Sequence, residues 1–377
     1  MAAGERVQFE LLQGGQDGPR RGRLRIGALA VATPAFMPVG TRASVKTLAA
    51  GELEALGARL ILANTYHLFL RPGAELIARR GGLHRFMSWR GGILTDSGGF
   101  QVYSLAELRR IHEEGIEFRS HLDGTRHLLS PETVLDIQGC LASDIRMVLD
   151  VCTPQPAPRA ETVADMERTL RWAERSARHR ACHAVGAAGA AVFGIVQGGT
   201  FPDLRRDCAR RLVEIGFDGY ALGGFSVGER ADERVPGMEA ALGELPCARP
   251  RYLMGVGTPA ELLDAVGRGV DLFDCVLPTR NARKGTVFSW QGRLVLKNRA
   301  FAEEDAPIDP RCGCSTCRRY SRAYIRHLFH VGEPLAGRLA SIHSLAFYQD
   351  LMAAAREAIA AGNFDAFARE MIARWAR

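Results

Sequence analysis

Residues 191–222 read AVFGIVQGGTFPDLRRDCARRLVEIGFDGYAL. Ala191–Val196 is an unbroken apolar run, and Gln197-Gly198-Gly199 ends it. Pro202–Ile215 follows with proline in its first turn, the one helical position where a missing N–H does no harm. Gly219–Leu222 is apolar again. Strands apolar on both faces lie in a sheet covered on both sides, and a helix joining two of them makes their pairing parallel. The unit recurs along the chain. Arg59–Ala63, Gly92–Thr95, Ile145–Leu149, Tyr252–Val256 and Val270–Leu277 read as further strands. Pro131–Leu141, Arg159–Val185 and Pro259–Gly267 read as further helices. Seven or eight such units over ~280 residues predict an α/β fold, a (β/α)8 TIM barrel, with an open doubly wound sheet as the alternative. Residues 107–130, which include HEEGIEFRSHLDGTRHLLS, alternate with period two around Asp123-Gly124 and read as a hairpin inserted in a βα loop. The small-residue stretch Ala184–Ala191 reads as a loop or helix end, and no repeat of ~20–50 residues is visible.

The chain has 377 residues, 47% hydrophobic and 24% charged, the balance of a globular enzyme. No apolar run is long enough to span a membrane, and the start MAAGERVQFE lacks the cationic and apolar regions of a secretory signal. Six of the nine cysteines stand singly at apolar positions, which suits a reducing cytoplasm. The net charge of +7 is modest, but its cations cluster. Arg280, Arg283, Lys284, Arg293, Lys297 and Arg299 crowd one stretch, and Arg311, Arg318, Arg319, Arg322 and Arg326 the next. Such a cluster fits a polyanionic partner, or only a solvated basic face.

Beyond Asn298 the pattern changes to Cys312-x-Cys314-x-x-Cys317, with His343 further on and helices expected at Arg318–Phe329 and Leu345–Arg377. Three thiolates and an imidazole form the ligand set of a closed tetrahedral zinc site, structural because no position stays open. A redox pair at Cys314 and Cys317 would leave Cys312 and His343 without a purpose. The expected division is a catalytic barrel over 1–298 and a zinc-binding helical subdomain over 299–377.

Polar residues follow several of the strands, where a barrel keeps its active site. These are Asp96 before Ser97-Gly98-Gly99, Asp150 in MVLDVCTP, Gln197 before Gly198-Gly199, and Gly223-Gly224. Asp274 sits inside the last apolar run, in FDCVLPTRNARKG, directly ahead of the first basic stretch. Each alone is weak, because an aspartate after a strand is often a helix cap and a glycine pair often a turn. Together they suit a purine lactam: a carboxylate accepts from ring N–H and NH2 while an amide and a backbone N–H donate to the carbonyl. Two more carboxylates suit a glycosidic bond, one as nucleophile and one handling protons. Phe100 and Met254 are available to stack on the ring.

These residues lie in FMPVGT, NTYHLFLRPG, LTDSGGFQV, DIRMVLD, QGG, LGG…VGE, YLMGVGTP, FDCVLPTRNAR and CxCxxC…H, and through them nearly the whole chain resembles the bacterial queuine tRNA-ribosyltransferases, or tRNA-guanine transglycosylases. The resemblance implies a homodimeric zinc-bearing barrel in the cytoplasm. Such an enzyme exchanges the wobble guanine of tRNAs with a G-U-N anticodon (Asp, Asn, His and Tyr) for 7-aminomethyl-7-deazaguanine through a covalent enzyme–RNA intermediate. By motif position Asp274 is the nucleophile and Asp96 the proton acceptor and donor. Asp150, Gln197, Gly224 and Met254 contact the base, with Asp96 and Ser97, Gly98, Gly99 and Phe100 lining the pocket. Gly255, Val256, Gly257, Thr258, Pro259, Ala260 and Glu261, then Thr279, Arg280, Asn281, Ala282 and Arg283, match the RNA-contacting segments.

Bacterial character rests on Val227, where queuine-using relatives carry glycine, and on Cys152. Val151 stands where the bacterial family usually has Glu, a residue thought to act with the position of Glu229 in switching a pocket peptide. Phe225 replaces a usual Leu, and Phe100 a usual Tyr. Three rivals have distinct signatures. A tRNA-binding accessory subunit typically loses the carboxylates kept here. An archaeosine-type enzyme carries an added RNA-binding domain. A small-molecule glycosidase explains neither the basic stretch nor the cysteines.

Overall fold

The computed structural model describes residues 7–105, 109–182, 189–225 and 227–375. Eight parallel strands, β1 to β8 in chain order, run through Ala35–Pro38, Leu60–Ala63, Gly92–Thr95, Ile145–Met147, Ala191–Val196, Gly219–Leu222, Arg251–Leu253 and Leu272–Cys275. Each lies beside its neighbour in sequence, and β8 pairs with β1, with Asp274 opposite Met37. The ring closes between β1 and β2 through a parallel bridge from Val39 to Leu62, where Gly40 N–H donates to Leu62 O at 2.6 Å. The fold is therefore the barrel and not the open sheet.

β3, β5 and β6 have the bounds expected from their apolar runs. β2, β4, β7 and β8 are shorter or shifted, because apolar residues continue past the last ladder bond: Val148 and Leu149, beyond β4, are still fully buried. β1 gave no periodic signal, being four buried residues that end on a proline. Sequence patterning also missed the antiparallel meander of Val7–Gln13, Arg21–Ile26 and Leu29–Thr33. It seals the amino-terminal end of the barrel, with Ile26 and Leu29 filling the space a side chain at Gly92 would need. The buried Arg20 guanidinium locks it there, its Nε donating to Asp271 Oδ1 at 2.9 Å just ahead of β8.

The insertion after β3 is a three-stranded antiparallel sheet, Arg109–Ile111, Ile116–Arg119 and Arg126–Leu129, not a simple hairpin. Besides Asp123-Gly124 there is a second turn at Gly115, where a Cβ would lie 2.2 Å from Leu129 O. Residues 107–108 of the expected hairpin, 183–185 of the expected helix and 184–188 of the small-residue stretch lie outside the described residues.

After β8 a short helix, Leu277–Ala282, carries Arg280, the first cation of the basic stretch. A hairpin of Thr286–Ser289 and Gly292–Val295 follows. The next helix spans Arg322–His330, later than expected, capped by Ser321 Oγ accepting from Tyr324 N. The single helix expected over Leu345–Arg377 is two, Pro334–Ala360 and Phe364–Trp375, separated by Gly362 at φ +70°. Residues 376 and 377 of the expected helix lie outside the described residues. The earlier start puts His343 in mid-helix. That helix covers β1: Gln349 Nε2 donates to Phe36 O at 3.1 Å and Tyr348 OH to Gly257 O at 2.7 Å.

Candidate active site and metal centre

Six strand ends converge at the carboxyl-terminal mouth. Asp96 follows β3, Asp150 lies three residues past β4, Gln197 follows β5, Gly223 and Gly224 follow β6, Met254 follows β7, and Asp274 is the penultimate residue of β8. Residues from 96 to 274 in the chain thus line one cavity rim, as barrel closure requires.

Asp96 is buried, its Oδ1 accepting from Thr65 N at 3.0 Å and its Oδ2 from Asn64 Nδ2 at 2.5 Å. Burial pushes its carboxyl up to about 7; the bonds from Thr65 and Asn64 pull the other way, and the nearby Asp274 adds to the rise. A carboxyl there exchanges protons near neutrality. Asp150 is pushed up to about 6 by burial, against hydrogen bonds from Gln197 Nε2 at 2.7 Å and Ser97 Oγ at 3.2 Å. Ser97 in turn receives Gly99 N at 3.2 Å. Gln197 Nε2 carries two protons, so one remains for a ligand.

Asp274 is oriented differently. Oδ1 accepts from Tyr252 OH at 2.6 Å and from Gly255 N at 2.9 Å, and Oδ2 accepts from nothing among the described residues. Its carboxylate keeps partial access to the mouth while burial raises its pKa. One oxygen held and one open is the posture of a carboxylate that attacks or stabilises a cation. Phe100 is exposed at the rim, and Met254 is partly buried.

Gly98 and Gly224 have positive φ, and a Cβ at Gly224 would come within 2.3 Å of Gln197 Oε1, so backbone and amide touch here. Val151 belongs to a buried apolar cluster with Tyr66, Val102, Leu149 and Trp172. Glu229 Oε2 accepts from Val227 N at 2.9 Å, and its Oε1 lies 3.7 Å from Arg234, which also binds Glu261 at 2.6 Å. Cys152 is half-buried, its thiol pushed up to about 12. Phe225 is buried beneath the guanidinium of Arg205, 3.8 Å from ring centroid to Cζ.

The expected RNA-contacting segments flank this mouth, though much of them is used internally. Val256, Gly257, Pro259, Thr279 and Ala282 are buried. Thr258 caps the helix Pro259–Gly267 by accepting from Glu261 N, while Ala260 and Asn281 are partly exposed. Gly255 and Arg280 are exposed; Arg283 is partly buried against Gly337. Other cations of the basic stretch have structural partners: Arg322 binds Glu304 at 2.8 Å, Arg326 Nε donates to Asn298 O, and Lys297 lies over Phe329.

Sequence reasoning missed Asn64 and Thr65, Tyr252, and Arg205. The first two lie in NTYHLFLRPG, where nothing local marks them as partners of Asp96. A tyrosine in a strand carries no local sign that it will meet an aspartate on the next strand.

Cys312, Cys314, Cys317 and His343 are buried, their ligand atoms all within 4.8 Å of one another. His343 Nδ1 is 3.2 Å from Cys317 Sγ, and Nε2 is 3.0 Å from Phe288 O. Donation from Nε2 to that carbonyl leaves the Nδ1 lone pair facing the thiols, the tautomer a metal needs. The four residues can hold a metal ion, and a Cys3His set with no water-bearing position fits it as a structural centre.

A closed parallel barrel with three such carboxylates at its mouth and a separate thiol–imidazole cluster has the build of a barrel enzyme. The sequence model for queuine tRNA-ribosyltransferase matches residues 16–377. Relatives described as queuine tRNA-ribosyltransferase include one from Syntrophobacter fumaroxidans, 56% identical over 93% of this chain and 92% of its own. Another, from Oleidesulfovibrio alaskensis, is 55% identical over 91% and 92%, and one from Thioalkalivibrio sulfidiphilus is 51% identical over 98% of both. The chain belongs to the queuine tRNA-ribosyltransferase family and is a tRNA-guanine transglycosylase, a pentosyltransferase of queuosine synthesis. Among the described residues no helix is long and apolar enough to cross a membrane.

Proposed function

We propose that the enzyme exchanges the wobble guanine of G-U-N anticodon tRNAs (those for Asp, Asn, His and Tyr) for 7-aminomethyl-7-deazaguanine by double displacement. The carrying observation is the open Oδ2 of Asp274, whose other oxygen is held by Tyr252 and Gly255. Oδ2 attacks C1′ of the wobble ribose, the C1′–N9 bond breaks, and its electron pair leaves with the guanine. Asp96, poised near neutrality, gives the departing base its proton. The incoming base loses a proton to Asp96 and attacks C1′ from the vacated side, which releases Asp274. Two inversions retain the configuration.

Asp150 accepts from the base's N–H groups, and Gln197 and Gly224 N–H donate to its carbonyl. Ser97, Gly98, Gly99, Phe100 and Met254 line the ring. A nucleotide must leave its stack to enter such a mouth, so the segments Gly255–Glu261 and Thr279–Arg283 hold the anticodon backbone beside it. Residues 1–298 form the catalytic barrel and 299–377 the subdomain that one zinc ion ties together through Cys312, Cys314, Cys317 and His343. The enzyme works as a cytoplasmic homodimer.

The deciding experiment incubates purified protein with a G-U-N tRNA and 7-aminomethyl-7-deazaguanine and weighs the nucleosides afterwards. The expected result is loss of guanine from position 34 and a matching gain of the deazapurine. With Asp274→Ala no denaturant-stable enzyme–tRNA band forms, while tRNA binding falls much less. A stable band from that variant overturns the nucleophile assignment. Failure of wild-type protein to incorporate labelled guanine supports an accessory, non-catalytic subunit instead.

A further inference from the structure

Beneath the glycine turns after β5 and β6 lies a guanidinium with no carboxylate in salt-bridge contact among the described residues. Arg205, in the helix Pro202–Ile215, is fully buried. Its Nε donates to Gly199 O at 2.8 Å and its Nη1 to Val196 O at 3.1 Å and Gly223 O at 2.7 Å, while Nη2 reaches Gly224 O at 3.4 Å. One side chain thus gathers carbonyls from both turns. Phe225 covers its face. Burial lowers its pKa to about 10, so it stays cationic near neutral pH.

A trans peptide is planar, and its C=O and N–H point in opposite directions. When Gly223 C=O is turned down onto Arg205, the N–H in the same plane, that of Gly224, must turn up and away from the guanidinium. Gly223 N–H is already spent on Val196 O at 3.1 Å. Gly224 N–H donates to no acceptor among the described residues, and Gly224 touches the Gln197 amide. The turn thus lies against the amide of Gln197, whose Nε2 gives one proton to Asp150 and keeps its second for a ligand. A cation also polarises the peptide whose oxygen it binds, which strengthens the N–H on its far side.

We propose that Arg205 is a positioning residue for base recognition. By holding the Gly223 carbonyl it aims Gly224 N–H into the pocket and so selects bases that carry an oxygen at the six position. It touches no base itself. The inference rests on Gly224 and Gln197 meeting the base carbonyl, as in the proposed function.

The test compares inhibition of guanine exchange by 7-deazaguanine and by 7-deaza-2,6-diaminopurine, which share a ring and differ in whether the six-substituent accepts or donates and in the adjoining N1 proton. The wild-type protein must first incorporate labelled guanine; if it does not, the proposed function fails and not this inference. In active wild type the oxo base is preferred. In Arg205→Lys, which keeps the charge but cannot fork to four carbonyls, the preference shrinks about tenfold or more, the worth of one directed hydrogen bond. KM for tRNA changes less than about twofold on the same scale. A folded Arg205→Lys with an unchanged preference overturns the proposal, as does an equal rise in KM for tRNA and base. Should that variant not fold, Phe225→Ala removes the ring that fixes the guanidinium. A diminished preference there supports the proposal and an unchanged one overturns it.

Discussion

Tyr252 OH donates to Asp274 Oδ1 at 2.6 Å, from the strand next to the one that carries the aspartate. The bond pulls the Asp274 pKa down against the rise that burial causes, and it turns Oδ2 outward. Tyr252→Phe removes a hydrogen bond to a charged acceptor, worth roughly ten- to a hundredfold in rate. Asp274 must be ionised to attack, so its higher pKa in the variant moves the acid limb of the pH–rate profile to higher pH. Stopped exchange assays with labelled guanine across pH read both effects.

Asp96, at about 7, has to give a proton in one half of the proposed reaction and take one in the other. It is protonated below about 7, so kcat/KM for tRNA should fall as pH rises through that value. It is ionised above, so kcat/KM for the incoming base should fall as pH drops through it. The two profiles are expected to be opposite in slope, and the one for the incoming base should break at lower pH, because Asp274 is esterified in the intermediate and no longer adds to the rise. Asp96→Asn should flatten both while lowering them by at least ~100-fold, the usual contribution of a positioned acid or base.

Cys317→Ser should lose the metal, because its Sγ lies with Nδ1 of His343 at the centre of the cluster. Metal content by mass spectrometry should fall from the proposed one zinc per chain to a small fraction. The melting temperature drops by roughly 10 °C or more, on a scale of ~2–4 °C per kcal/mol for a large domain. Stoichiometric zinc retained by the variant would refute the ligand set.

Arg280 is exposed beside the mouth, whereas Arg283 is partly buried against Gly337, its Nη1 buried without a hydrogen-bond partner among the described residues. Arg280→Ala should weaken tRNA binding uniformly and reduce the salt slope by about one charge. Arg283→Ala should reduce the slope less and lower thermal stability more. A slope unchanged in Arg280→Ala argues against phosphate contact there.

The strands β3, β5 and β6, the helices Pro131–Leu141, Pro202–Ile215 and Pro259–Gly267, which have the expected bounds, and the thiol cluster were legible because each is written in consecutive residues. Apolar runs, a proline at a first turn and Cys-x-Cys-x-x-Cys need no distant partner to be recognised. The carboxylates were legible as a set for the same reason, as polar breaks after apolar strands. What local pattern could not show was closure and orientation. β1 and the amino-terminal meander take their form from burial against residues hundreds of positions away, as Arg20 does with Asp271. Asn64 and Thr65 hold the two oxygens of Asp96, Tyr252 turns Asp274, and Arg205 turns Gly223, each across a turn or a neighbouring strand. The sequence by itself determined which elements form and which reactive groups exist. The tertiary structure alone decided which oxygen stays open and which proton is mobile, because desolvation and hydrogen-bond geometry belong to the assembled barrel and not to any segment of it.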